Sequence, residues 1–440
     1  MKDLVRSALQ WFADSRLARR VVDTLFRAKA RRRIVELDRQ SMVRCQTRAL
    51  LGLVHTGRGT RFGRDHDFRR IRTTDDFRRL VPLRTPGQLW REYWQPAYPD
   101  LAGVTWPGPI PYLAISSVST KGSLPYVPVS PALWAAQQTA ALTALAFVLH
   151  ARPQARFCAG RLCLLGNGTT LFPAGTPLSA ESLEAIALRR LPHHLQPYAL
   201  AYPALDERPG QITDIRLLAE LAERSARMPV TCLAGTSERL AQFFTHVRRA
   251  TGRGRIADVW PQLAAVLYTR GVNDPDRGHL ENQIGNRTVM CLEMYLRPEG
   301  AVAVEDPRHR GLRLLPDHGI YFEFVPLDEL GKQRPARLSA AQVRVGVPYA
   351  LALSSPAGIW ACLIGNVVQF ERLDPPLLRL VETATIGETP AAPLFPSPPR
   401  VVTVPHPFPL QPPHRRSDDT PAAPPGIAFH SASSARADRE

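Results

Sequence analysis

Apolar residues recur at helical spacing over 1–55, 131–149 and 214–227, while β-prone runs fill much of the chain between and beyond them. Arg161 to Leu165, Val230 to Leu233 and Ala264 to Tyr268 are nearly continuous apolar runs with the length of buried strands. Tyr321 to Val325 and Tyr349 to Leu353 read as later strands of a sheet or barrel. Tyr112 to Ile115 and Tyr126 to Val129 are two more short runs, and the hydroxyl-rich, glycine-containing stretch between them reads as a hairpin loop. Ser130 and Pro131 then have the form of a helix start, with a side-chain acceptor at the N-cap and proline at the first helical position. Strands interleaved with helices place the chain in the α/β class, and no repeat of solenoid period is visible.

A chain of 440 residues with 44% apolar content buries a large core. Its most apolar stretch, Ala132 to Leu149, is interrupted by Gln137, Gln138, Thr139 and Thr143 and reads as a buried helix behind the loop rather than a membrane span. From about Thr383 to Glu440 the apolar periods stop and thirteen of the 42 prolines accumulate, which is the composition of a disordered tail. The expected organisation is a basic amphipathic helical segment over 1–45, a main domain over 46–381 and a Pro-rich disordered tail over 382–440. No apolar stretch with a small-residue cleavage site opens the chain, so the expected location is cytoplasmic.

The formal charge of +17 rests on arginine, since only Lys2, Lys29, Lys121 and Lys332 are lysines, a bias that a GC-rich genome gives without any partner. Residues 1–40 hold eleven Lys/Arg against five Asp/Glu, and Leu4, Ala8, Phe12, Ala18, Val22, Leu25 and Phe26 recur there at helical spacing. Such a helix either docks on its own domain or lies on an anionic membrane surface. No helix-turn-helix, zinc-finger or RNA-binding signature points to specific nucleic-acid recognition. Cys45, Cys158, Cys163, Cys232, Cys291 and Cys362 lack Cys-x-x-Cys spacing and are expected to be reduced core residues. The twelve histidines show no metal-ligand spacing, His193 and His194 being adjacent, and are expected at the surface or in loops.

The richest chemistry lies in Ser116 to Ser130, Ser-Ser-Val-Ser-Thr-Lys-Gly-Ser-Leu-Pro-Tyr-Val-Pro-Val-Ser. Backbone N–H groups of such a turn make an anion-binding concavity, with Ser116, Ser117, Ser119 and Thr120 adding hydroxyl donors. It is not the Walker pattern, because no Gly-x-x-x-x-Gly-Lys-Ser/Thr occurs. Taken alone, a Ser/Thr/Gly cluster is an ordinary turn as readily as a phosphate site.

Its neighbours sharpen the reading. Thr60-Arg61-Phe62-Gly63-Arg64-Asp65-His66, Asp76-Phe77-Arg78-Arg79-Leu80-Val81-Pro82-Leu83 and Val259-Trp260-Pro261-Gln262-Leu263 precede Tyr295-Leu296-Arg297-Pro298-Glu299-Gly300. Tyr321-Phe322-Glu323-Phe324-Val325-Pro326 and Gly365-Asn366-Val367-Val368 follow. In this order, over roughly 45–380, the segments resemble the motifs of the Gretchen Hagen (auxin-responsive promoter) family of acyl-acid amido synthetases, relatives of luciferase and acyl-CoA synthetases. The resemblance implies the large N-terminal domain of an adenylate-forming enzyme, layered sheets with helices plus a distorted barrel. It also implies a two-step reaction in which a small carboxylic acid and ATP give an acyl-adenylate, and an amino acid amine then forms an amide. By position, Ser116, Ser117, Ser119, Thr120, Lys121 and Gly122 become the phosphate loop, Glu299 the Mg²⁺-holding catalytic carboxylate, and Tyr295 and Asn366 nucleotide contacts.

The chain departs from the family at four points of that site. Val118 stands for glycine, and a β-branched residue resists the dihedrals that bring backbone close to phosphate. Pro125 stands for lysine and removes a cation and a backbone donor, which Lys121 either replaces or does not. Arg297 and Pro298 replace a small and a hydroxyl residue, so Glu299 is either a surface carboxylate or a partner of Arg297, and Arg297 alternatively reaches the phosphates itself. Asn366 stands for an aspartate and offers one neutral acceptor in place of a charged pair. Losses of about 1–3 kcal/mol each would together weaken ATP binding by orders of magnitude. The tail, in place of the family's smaller closing domain, adds to the expectation of weak catalysis, or of a non-catalytic ligand-binding relative.

Overall fold

In the computed structural model, residues 15–115, 126–166, 170–172, 179–191, 195–200, 214–270, 275–383 and 400–402 are described. Their strands are β1 Tyr112–Ile115, β2 Tyr126–Val129, β3 Arg161–Leu165, β4 Thr170–Phe172, β5 Ser179–Glu181, β6 Ala199–Leu200, β7 Val230–Thr236 and β8 Ala265–Thr269. The chain continues through β9 Met290–Arg297, β10 Gly300–Asp306, β11 Gly311–Leu314, β12 Tyr321–Pro326, β13 Pro348–Ser355, β14 Ile359–Leu373, β15 Pro376–Thr383 and β16 Arg400–Val402. Three helices frame the site: α1 Arg16–Arg39, α2 Met42–Gly57 and α3 Pro131–Ala151.

The strands pair into an 11-stranded sheet, β12-β13-β14-β15-β11-β10-β9-β8-β7-β3-β6, and a 5-stranded sheet, β16-β4-β5-β1-β2. The large sheet changes character at β9. From β9 through β8, β7 and β3 to β6 every pairing is parallel, and the strands read as the near-continuous apolar runs such pairing favours. From β9 to β10 and on to β12 every pairing is antiparallel. Arg297 pairs with Gly300, so Pro298 and Glu299 form a two-residue turn at that seam, where a proline costs no ladder bond. At position 300 a Cβ would stand 2.5 Å from Ile320 Cδ1, so a side chain there would have to displace the end of Ile320.

The small sheet carries the hairpin read from the sequence, with Tyr112 opposite Val129 and Ile115 opposite Tyr126. Helix α3 starts directly after it. The Ser130 hydroxyl accepts from Leu133 N at 3.0 Å and donates to the Pro356 carbonyl at 2.6 Å, which caps the helix and ties its first turn to the β13–β14 connection. By length and composition α3 is a helix that can cross a membrane. In the fold it packs against α1, β9 and β10. Its polar positions work inside: Gln137 Nε2 donates to the Arg297 carbonyl at 2.7 Å, and Thr143 accepts from Arg33 Nε at 2.9 Å.

Helix α1 lies on α3 through Ala30, Ile34 and Leu37, all buried. Its charges are used on the same domain. Arg33 pairs with Asp317, Gln40 Nε2 donates to Asp317 at 2.7 Å, and Asp38 accepts from Arg308 at 2.7 Å and Arg313 at 2.6 Å. The two arginines hold the Asp38 carboxyl down at about 2 against the opposing effect of burial. Leu25, which the spacing grouped with the apolar face, is 66% exposed, because the buried stripe advances by four residues through Ala18, Val22, Phe26 and Ala30 and leaves its neighbour about 100° away. Leu4, Ala8 and Phe12 lie outside the described residues.

The proline-rich segment supplies one strand. Arg400–Val402 pairs antiparallel with Thr170–Phe172 at the edge of the small sheet, so disorder does not extend over all of 382–440 as composition implied. The segment is suited to the edge it meets: Val401 and Val402 are β-prone and Pro398 and Pro399 end before the paired residues, as an edge strand permits. Positions 384–399 and 403–440 lie outside the described residues.

Candidate functional site

The β9–β10 turn concentrates polar groups that the fold buries and does not pair. Glu299 is 1% exposed, and its two carboxylate oxygens accept no hydrogen bond among the described residues. Arg297, also buried, approaches it with Nε at 3.5 Å from Oε2, too long for a good hydrogen bond, and the guanidinium donates to no group among the described residues. The Tyr295 hydroxyl two residues earlier is buried and unpartnered, and burial pushes its phenol well above the ordinary range. Gln137, whose amide nitrogen holds the Arg297 carbonyl, has an unpartnered Oε1, and the Trp134 indole N–H one turn earlier on α3 is in the same condition. Buried polar atoms are paired in the great majority of cases, so the orphans on Arg297, Glu299, Tyr295 and Gln137 form a feature that requires explanation. Of the two readings of Glu299, the surface carboxylate is excluded by its burial and the partnership with Arg297 holds.

Asn366 lies on β14 opposite Thr383, buried, with no partner for Oδ1 among the described residues. Ser116, Ser117, Ser119, Thr120, Lys121 and Gly122, together with Val118 and Pro125, lie outside the described residues. The ends of that loop are fixed by the Ile115 to Tyr126 pairing and by the Ser130 cap.

A groove of about 580 Å³ runs between α2 and α3 and is floored by the segment before β12. The α3 side presents Ala132, Ala135, Ala136 and Thr139, the spacing of one helix face, and Gly52 opens the α2 side. Arg48 is exposed on this wall and pairs with no carboxylate among the described residues. His318 also lines the groove, and it corrects the expectation that the histidines lie at the surface. It is 7% exposed, and its Nε2 donates to the Ala301 carbonyl at 2.7 Å. Burial draws its pKa down to about 4, which keeps the ring neutral with an unpartnered Nδ1 acceptor. The sequence reading passed over Arg48 and His318; the Asp-His-Gly turn ahead of a strand was the available signal for the latter. His193 and His194 lie outside the described residues.

The six cysteines are thiols, not disulfides, and burial raises Cys158, Cys232 and Cys291 to about 12. Among the described residues no group of three or more His, Cys, Asp or Glu can hold a metal ion. Mg²⁺ needs fewer protein ligands than that when phosphates complete its shell, so Glu299 decides the matter. A divalent ion on that carboxylate would meet a guanidinium already 3.5 Å away on a side chain only 9% exposed. Like charges about 4 Å apart repel by about 4 kcal/mol per unit pair at an effective dielectric of about 20. Mg²⁺ therefore does not fit beside Arg297. A nucleotide fits better, since the open Asn366 oxygen suits a ribose hydroxyl and the open guanidinium suits an oxyanion.

Parallel and antiparallel halves joined at β9, with helices against them, make a fold that matches the N-terminal domain of adenylate-forming enzymes of known structure. The AtGH3.15 acyl acid amido synthetase in complex with 2,4-DB is similar over 81% of this chain and 70% of that one, with 13% identity and a TM-score of 0.62. A 2-hydroxyisobutyryl-CoA ligase in an open conformation, in complex with 2-HIB-AMP and CoA, is similar over 76% of this chain and 66% of that one, with 15% identity and a TM-score of 0.50. No curated protein sequence matches this one. The sequence matches the GH3 family N-terminal domain over 31–193 and the GH3 family central domain over 313–382, more than half of its length, and the chain belongs to the GH3 family.

Proposed function

We propose that this chain is an adenylate-forming ligase for a small carboxylic acid, an acyl-acid amido synthetase with a rebuilt nucleotide site and reduced turnover. The observation that carries this reading is the set of open buried atoms at positions the family uses: both Glu299 oxygens, the Tyr295 hydroxyl and Asn366 Oδ1. Buried polar atoms are normally paired, and four open ones at the positions named by the family motifs are what a ligand would complete. The groove between α2 and α3 supplies the second half of the reading. Its alanine face suits an apolar acyl body, and Arg48 suits a carboxylate. ATP, when bound, supplies activation of the acid as an acyl-adenylate with pyrophosphate leaving; an amino acid amine is the acceptor this reading assigns.

The test is ATP–pyrophosphate exchange over a panel of carboxylic acids. Exchange above background with at least one acid is expected, and Arg48→Ala should raise the KM for that acid about tenfold, the loss of one charged contact. Absence of exchange with every acid, with no thermal stabilisation by ATP or by a non-hydrolysable acyl-adenylate analogue, overturns the proposal. A second reading, a non-catalytic ligand-binding relative, is favoured by the contact of Arg297 with Glu299. It predicts stabilisation by an acid without any exchange.

A further inference from the structure

Resting on the adenylate-site reading, we propose that Arg297 is a built-in cation that stands where the family places its divalent metal, so that this site takes the phosphate oxyanion of its nucleotide directly on a guanidinium, without a metal ion. Three observations support it. The root of the side chain is fixed: Arg297 ends β9, pairs with Gly300 across a turn stiffened by Pro298, and has its carbonyl held by Gln137 Nε2 at 2.7 Å. The head is unspent: the guanidinium carries five N–H donors in a planar fork that matches two oxygens of a phosphate, its buried Nε has no hydrogen-bond partner, and it donates to no group among the described residues. The charge is half-compensated: Glu299 lies 3.5 Å from Nε and keeps the buried guanidinium from standing alone, yet forms no fork with it. Arginines buried for structure in this molecule look different. Arg337 and Arg313 spend their donors on carboxylates and backbone carbonyls. The Tyr295 hydroxyl, two residues away on the same face of the strand, adds an unspent donor.

The experiment is calorimetric titration of the full chain with ATP, in EDTA and in excess Mg²⁺, for wild type, Arg297→Ala, Arg297→Lys and Glu299→Gln, each checked for folding by its melting curve. Wild type should bind about equally in the two buffers. Arg297→Ala should weaken binding in EDTA by about ten- to hundredfold, the loss of a charged forked contact, and should recover when Mg²⁺ is added, because Glu299 is then free to hold it. Arg297→Lys should fall between, having charge without the fork. Glu299→Gln should tighten metal-free binding, whereas a metal-held site would be weakened by it. Wild-type binding that requires Mg²⁺, with Arg297→Ala no weaker in EDTA, overturns this inference and leaves the adenylation reading standing. Failure of every variant to bind ATP and an acyl-adenylate analogue in both buffers removes the adenylation reading and this inference with it.

Discussion

Two buried arginine–glutamate pairs, Arg337 with Glu323 and Arg297 with Glu299, use the same chemistry to opposite ends. Arg337 Nε donates to Glu323 Oε1 at 3.1 Å, its second arm reaches Oε2, and its third donates to the Arg78 and Val81 carbonyls at 3.3 and 2.5 Å. Glu323 accepts again from Arg78 Nε at 3.3 Å, so both carboxylate oxygens are used and the cluster joins β12 to the segment near Val81. The other pair touches once, at 3.5 Å, and leaves its atoms unspent. A closed ionic cluster holds elements together; an open one costs stability and is intelligible only with a ligand.

The comparison can be broken most sharply at Glu323. Glu323→Ala strands two arginines inside the protein and should destabilise it by about 3–5 kcal/mol, read as a lower urea midpoint at unchanged m. Next comes His318, another half-paired buried group. Its pKa is lowered from an ordinary 6.5 to about 4, so between these values the unfolded chain binds a proton that the folded chain refuses. Stability should therefore be full above about pH 6.5 and fall as the pH drops toward 4, by up to roughly 3 kcal/mol at about 1.4 kcal/mol per unit. His66, lowered to about 4 by burial and by the Arg84 charge, adds to the same slope. Urea unfolding at both ends of this window should show a flatter profile for His318→Gln. Ser130→Ala removes a closed contact and should cost about 1–2 kcal/mol of thermal stability. The smallest effect belongs to Arg297→Met with Glu299→Leu, expected to leave stability unchanged or raise it by about 1 kcal/mol. A loss above about 2 kcal/mol there would show that the open pair is structural after all.

What the sequence disclosed follows the range of the interactions. The β1–β2 hairpin, the Ser130 cap and helix α3 rest on contacts a few residues apart, and all were read correctly, as were β3, β7, β12 and β13, with β8 offset by one residue. The motif residues Tyr295, Glu299 and Asn366 were found as types. Which carboxylate is closed and which is open was not legible, because the deciding contacts are long-range: Arg337 meets Val81 across 256 positions and Gln137 meets Arg297 across 160. The burial of His318 was missed although its contacts, the Ala301 carbonyl and the Phe322 ring, lie nearby in the chain, whereas the strand at Arg400 depends on an edge more than 200 positions earlier.

The corner between β9 and β10 has no slack in its path. Ile320 fills the space a side chain at position 300 would need, Pro298 restricts the bend, and α3 grips the carbonyl of Arg297. Change at this corner is thereby confined to what hangs from the backbone, so exchanging one protruding group can alter which ions the pocket accepts while the scaffold around it stays where it was.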